Sequence, residues 1–148
     1  MPGDRARGPL IADTGGILRA LASHPDGRPS WPAHEAALRL ASAIIVPTLV
    51  LAEVDYFLRG HRPAMRKLLA EIFDPKTTYE LEVATPADIV RAMELDAKFR
   101  ELEIGLVDGT VAAVAERRRV YRILTIDHDD FAPLRVGPAY RLAFTLVP

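Results

Sequence analysis

The apolar residues of this chain gather into runs too short for helices, and each run is followed by helical periodicity. Pro9-Leu-Ile-Ala12 is such a run and ends at Asp13. Ala43-Ile-Ile-Val46 is a second, and Tyr121-Arg-Ile-Leu-Thr-Ile126 a later one that ends at Asp127. Tyr79 to Val83 alternates apolar and acidic residues, the period of a half-buried or edge strand. Leu142 to Val147 reads as a last strand. Between them lie helix signals. Ile17 to Ala22 forms a short helix, and Ser30 is placed to cap the next. Pro47 suits the first turn of a helix that closes near Gly60. Met65, Leu68, Leu69 and Ile72 stand at i, i+3, i+4 and i+7. Thr85-Pro-Ala-Asp88 resembles a capping box, and a further helix runs through Val107, Val111, Val114 and Ala115. No hairpin signal joins neighbouring strands. Strands alternating with helices predict an α/β domain with a mainly parallel sheet.

The 148 residues match the usual size of one domain. Residues 1–8 are polar and rich in Gly and Pro, which predicts a flexible N-terminal tail before a single domain over 9–148. The tail lacks the apolar core of a signal peptide, so the cytoplasm is the expected compartment. No apolar run approaches the roughly 18 residues of a membrane span. The chain has no cysteine, which excludes disulfides, thiol catalysis and Cys-ligated zinc. The net charge of −1 gives no global attraction for nucleic acid, so any such binding depends on a local patch or a metal.

In open parallel sheets ligands sit beyond the carboxyl ends of the strands. Asp13 and Asp127 occupy such positions. Two more acids are expected to point inward. Glu53 has Leu49 and Val50 one helical turn before it and Tyr56 and Phe57 one turn after, so it should project from an apolar face. Asp108 has Ile104, Val111 and Ala112 as its helical neighbours. Asp129 and Asp130 are extra candidates in the loop of Asp127. Converging carboxylates repel and their pKa values rise. A hard divalent cation, Mg²⁺ or Mn²⁺, resolves that repulsion with oxygen ligands and bridges carboxylates to phosphates. Two such ions would stabilise both oxygens of an in-line phosphodiester displacement. Three of these acids also have an ordinary explanation: Asp13 as an N-cap, Asp108 as a first-turn partner of the helix dipole, Asp127 as loop polarity; Glu53, mid-helix on an apolar face, has no cap explanation.

In order and spacing, Ile11-Ala-Asp13-Thr14, Pro47-Thr-Leu-Val-Leu-Ala-Glu53, Leu106-Val-Asp108-Gly-Thr-Val-Ala-Ala113 and Ile123-Leu-Thr125-Ile-Asp127-His-Asp-Asp-Phe131 resemble the four acidic motifs of the PIN domain. Length and element order are similar to those of VapC-type toxins of toxin–antitoxin pairs. The resemblance implies a three-layer α/β/α fold with a central sheet of four to five mainly parallel strands. It implies a Mg²⁺- or Mn²⁺-dependent endoribonuclease cutting structured RNA such as tRNA or rRNA loops. It further implies a cognate antitoxin and a homodimer; with no apolar run of membrane-spanning length, no membrane association is expected. Carried over by position, Asp13, Glu53, Asp108 and Asp127 are the catalytic acids, and Asp13, Asp108 and Asp127 hold the metal. Thr14, Thr125 and Asp129 support them. Gly109 departs from the pattern, since the family often has Ala after the third acid.

Two other functions share these features: a catalytically inactive PIN-fold binding module, and a receiver-like phosphoacceptor domain. The second needs a paired acid near the first strand and a late Lys, and no Lys follows residue 98. Arg117-Arg-Arg119 with Arg122 is the main basic run, read either as an RNA patch or as the complement of a helix dipole. Arg19, Arg59 and Arg62 are alternative cations for RNA or antitoxin. Trp31 and Phe57 are expected in core or interface.

Overall fold

The computed structural model describes residues 6–148; the predicted tail at Met1–Arg5 lies outside the described residues. Residues 6–8, assigned to the same tail, are tied down. The Arg122 guanidinium donates to the Gly8 carbonyl at 2.6 Å and to that of Ala6 at 3.3 Å, and Ser42 N–H donates to Arg7 O at 2.9 Å.

Chain order begins β1 (Leu10–Ala12), α1 (Thr14–Leu21), α2 (Pro32–Leu40), β2 (Ile44–Pro47), α3 (Thr48–Phe57) and α4 (Arg62–Phe73). It continues β3 (Tyr79–Glu82), α5 (Pro86–Lys98), α6 (Gly105–Arg118) and β4 (Arg122–Leu124). It ends α7 (His128–Phe131), β5 (Arg135–Val136), β6 (Leu142–Ala143) and β7 (Thr145–Val147). Strands pair in the order β3-β2-β1-β4-β7, and every pairing is parallel. Helices flank this five-stranded sheet in the α/β/α arrangement expected. β1, first in the chain, lies at its centre and is buried throughout. That is why its residues form an unbroken apolar run: both faces are covered.

The core is built from Leu10, Ile11, Ile45, Val46, Ile123 and Leu124 of the sheet. Ile17, Val50, Val54, Val111 and Val114 seal it from the helices. α1 approaches β4 closely at Gly16, where a Cβ would lie 2.1 Å from the Leu124 carbonyl oxygen. The Thr85–Asp88 capping box forms in both directions, with Asp88 N–H on the Thr85 hydroxyl at 3.1 Å and Thr85 N–H on Asp88 Oδ2 at 3.0 Å.

Several local expectations give way. Trp31, not Ser30, is the residue before α2, and its side chain makes no cap. Pro47 ends β2 instead of opening the helix. The last strand is two: Leu142–Ala143 pairs antiparallel with β5 in a small hairpin, and Thr145–Val147 joins the main sheet beside β4. Arg117 and Arg118 lie in the last turn of α6, where the helix dipole favours cations, and their ion pairs leave them unavailable as an RNA patch. Arg117 grips buried Asp88 and reaches Glu82, while Arg118 bridges Glu80 and Glu82. These pairs fasten the end of α6 to edge strand β3 and to α5.

Candidate active site

Two parallel strands, β1 and β4, place acids at one end of the sheet, and helix α6 adds a third. β1 stops at Ala12, and Asp13 follows with extended backbone as the residue before α1. It occupies an N-cap position, yet its side chain makes no capping bond. Its carboxylate instead accepts the Thr125 hydroxyl at 2.9 Å. Thr125 follows β4, is fully buried, and also accepts the Asp127 N–H at 2.9 Å. One hydroxyl thus holds the loop of Asp127 against Asp13. The N-cap explanation of Asp13 fails on this geometry.

Asp108 enters from the first turn of α6. One carboxylate oxygen from each of Asp13, Asp108 and Asp127 lies within 4.8 Å of the others. Burial, opposed in part by the Thr14 amide and the Thr125 hydroxyl, pushes Asp13 up from 3.8 to about 6. Burial, joined by the charges of Asp13, Asp127 and Asp130, pushes Asp108 to about 8. Asp13 and Asp108 therefore resist ionising together. An all-oxygen donor set in that condition suits a hard divalent cation.

The other expected site residues fall as follows. Glu53 is half-buried on α3, and its charge contributes to raising Asp13, so it flanks the cluster without joining the three. The expectation that it points into the core is corrected: the buried stripe of α3 is Val50 and Val54, while Tyr56 and Phe57 are exposed. Thr14 is buried, and its hydroxyl has no hydrogen-bond partner among the described residues. Asp129 is exposed and outside the three-acid group; Asp130, one residue on, faces Asp108 instead. The spacing could have favoured Asp130, since Phe131 beside it is buried and anchors the short helix inward.

Comparison with known proteins agrees with this arrangement. The PIN domain family model matches residues 10–135. The chain is 30% identical over 142 residues to Ribonuclease VapC26 of Mycobacterium tuberculosis, covering 94% of this chain and 100% of that protein. Among solved structures it is similar to VapC20 of Mycobacterium tuberculosis, a Sarcin-Ricin loop cleaving toxin. That match has a TM-score of 0.65 at 21% identity and covers 82% of this chain and 92% of the other.

Proposed function

Because the chain belongs to the PIN domain family, we propose that it is a divalent-metal-dependent endoribonuclease, the toxin of a toxin–antitoxin pair. Membership of that family sets aside the receiver-like phosphoacceptor. One observation carries the chemistry: Asp13, Asp108 and Asp127 offer oxygens within 4.8 Å of one another at the carboxyl end of a parallel sheet. The similarity to Ribonuclease VapC26 supports RNA as the substrate. The fold shared with a Sarcin-Ricin loop cleaving toxin is consistent with a structured target such as a tRNA or rRNA loop. A cognate antitoxin and a second copy of the chain are the proposed protein partners, and the cytoplasm the proposed compartment. No helix among the described residues is long and apolar enough to cross a membrane.

Asp13, Asp108 and Asp127 are the groups that would hold the cation, with Glu53 and Asp130 as outer carboxylates. Bound Mg²⁺ or Mn²⁺ supplies charge neutralisation at the scissile phosphate and a more acidic attacking water. The chain's own part is positional. Thr125 fixes one oxygen of Asp13 and the backbone of Asp127 with a single hydroxyl, so two of the three ligands are oriented before anything binds. Such preorganisation avoids reorganisation cost during reaction. Asp108, held high by burial and by the charges of Asp13, Asp127 and Asp130, would release its proton to solvent when it served as a ligand.

The test is 5′-end mapping of cellular RNA after induction of the protein, with Asp13→Asn as control. New ends at defined loop positions, absent with Asp13→Asn, are expected. Identical maps from the two would overturn the proposal and favour a PIN-fold binding module.

A further inference from the structure

A polyanionic substrate cannot approach a cluster of carboxylates unless cations flank it. The conspicuous arginine run is spent on ion pairs: Arg117 and Arg118 lie on β3 and α5 acids, and Arg122 on backbone carbonyls. Positive charge is concentrated elsewhere. From Tyr56 to Ala70 the chain holds Arg59, Arg62, Arg66 and Lys67 and no acid. Of these, Arg59, Arg66 and Lys67 are exposed, whereas Arg62 is paired with Asp55 at 2.7 Å.

The same corner carries exposed aromatic rings. Tyr56 is 59% and Phe57 56% exposed. The two rings meet edge to face at 5.7 Å, and the Arg59 guanidinium lies 4.0 Å over the Tyr56 ring. Tyr56, Phe57, Arg59, Gly60 and His61 line an open hollow of about 480 Å³. Burial in the fold does not account for these rings, since α3 packs through Val50 and Val54. Their place relative to the acids follows from the helix. α3 starts where β2 ends, packs against α1 behind Asp13 and against α6, which bears Asp108, and Tyr56 and Phe57 stand one turn beyond Glu53 on the same face.

We propose that the α3–α4 corner formed by Tyr56, Phe57 and Arg59 is the docking surface for single-stranded RNA next to the scissile phosphate, with an unstacked base on the rings and phosphates on the cations. Rings beside free cations are the combination that single strands use, because every base has a stacking face. A duplex keeps its bases stacked inside and gains nothing from the rings. This surface rests on the ribonuclease reading and specifies its substrate as a looped or unpaired segment.

The experiment measures binding of a short fluorescein-labelled single-stranded RNA by anisotropy, in EDTA to suppress hydrolysis, across a salt series. Tyr56→Ala and Phe57→Ala are each expected to weaken binding about ten-fold, and Phe57→Trp to retain it. Arg59→Gln should lower the slope of log affinity against log salt by about 0.7. The unsubstituted protein should prefer the single strand to a duplex of equal length. Unchanged RNA affinity in both Ala variants overturns the assignment, and a lost antitoxin complex or a split dimer in those variants would mark the corner as a protein interface. The two proposals fail separately. If the unsubstituted chain cuts RNA and Phe57→Ala binds as well, only the docking surface falls. If the chain binds the single strand through these residues but cuts no RNA with Mg²⁺ or Mn²⁺, only the nuclease falls.

Discussion

Thr125 donates its hydroxyl to Asp13 Oδ2 at 2.9 Å, joining the ends of β4 and β1 inside the site. Removing it leaves a carboxylate buried without its side-chain donor. Thr125→Val should therefore raise the Asp13 pKa above about 6 and shift the acid limb of the pH–rate profile upward. Activity should fall about ten- to a hundred-fold, with Thr125→Ser restoring most of it. A pH–rate profile unmoved by Thr125→Val would show that the hydroxyl only fills space.

Asp13 and Asp108 both bind protons more tightly when folded than the 3.8 of an ordinary aspartate. A raised acid pKa contributes stability at low pH that is lost as pH rises. Between about pH 4 and pH 8 the metal-free protein should lose stability as these groups ionise against one another. Asp108→Asn should raise the metal-free Tm at pH 8 by roughly 2–8 °C, on the order of 1–2 kcal/mol after solvent screening. It should also abolish the stabilisation that Mg²⁺ or Mn²⁺ confers. Calorimetric melts across pH, with and without metal, check both. For the unsubstituted protein, metal affinity should climb over the same range, because the cation displaces protons.

Thr110 sits fully buried on α6 with no partner for its hydroxyl among the described residues. Val has the same shape without the unsatisfied group. Thr110→Val should be neutral or stabilising by up to about 1 kcal/mol. Chemical denaturation measures this directly, and a loss above that size would reveal a hydrogen bond made through water.

Gly109 has a physical reason to depart from the family's usual Ala. A Cβ there would lie 2.9 Å from the Ala92 carbonyl oxygen and 3.0 Å from the Ala92 Cβ, where α5 and α6 touch. Gly109→Ala gains up to about 1 kcal/mol in helix propensity, but it must push the two helices apart. The net effect should be a loss of about 1–2 kcal/mol. Pairing it with Ala92→Gly should recover part of that loss, which a double-mutant cycle reads out.

Asp88 is 3% exposed and takes two bonds from Arg117 besides closing its capping box. Arg117→Ala strands that charge and should cost roughly 2–4 kcal/mol, less than a deeply buried pair because Arg117 is itself 39% exposed. The arginine and the cap hold the Asp88 carboxyl below its ordinary range. Its contribution is therefore present at neutral pH and lost on acidification through the range below about pH 4.

The strands and the acids at their ends were legible because burial on both faces writes an unmistakable apolar run. Leu10–Ala12 and Ile44–Val46 are such cases, and Asp13 and Asp127 follow from the ends of β1 and β4. The direction of Glu53 was not legible. Apolar residues surround α3, so periodicity could not tell the core stripe of Val50 and Val54 from the exposed pair Tyr56 and Phe57. Those rings look like core because exposure of large aromatics is unusual unless something binds them. The split at Phe144 escaped notice because β5 and β6 are two residues each, too short to carry a period. The fate of Arg117 and Arg118 was hidden because their partners, Glu80, Glu82 and Asp88, lie 29 to 38 positions away.

The central strand pairs with β2 on one side and with β4, more than a hundred residues later, on the other. Asp13 emerges early in synthesis, but its hydroxyl partner Thr125 and the clustered Asp127 emerge only after residue 124. During translation the site therefore stays incomplete until β4 is free of the ribosome to dock beside β1. Any chain broken off before Thr125 lacks both the clasp on Asp13 and the Asp127 carboxylate. The strand order thus makes the docking of β4 beside β1 the step that assembles the acids, and a fragment that ends before Thr125 cannot carry the assembled site.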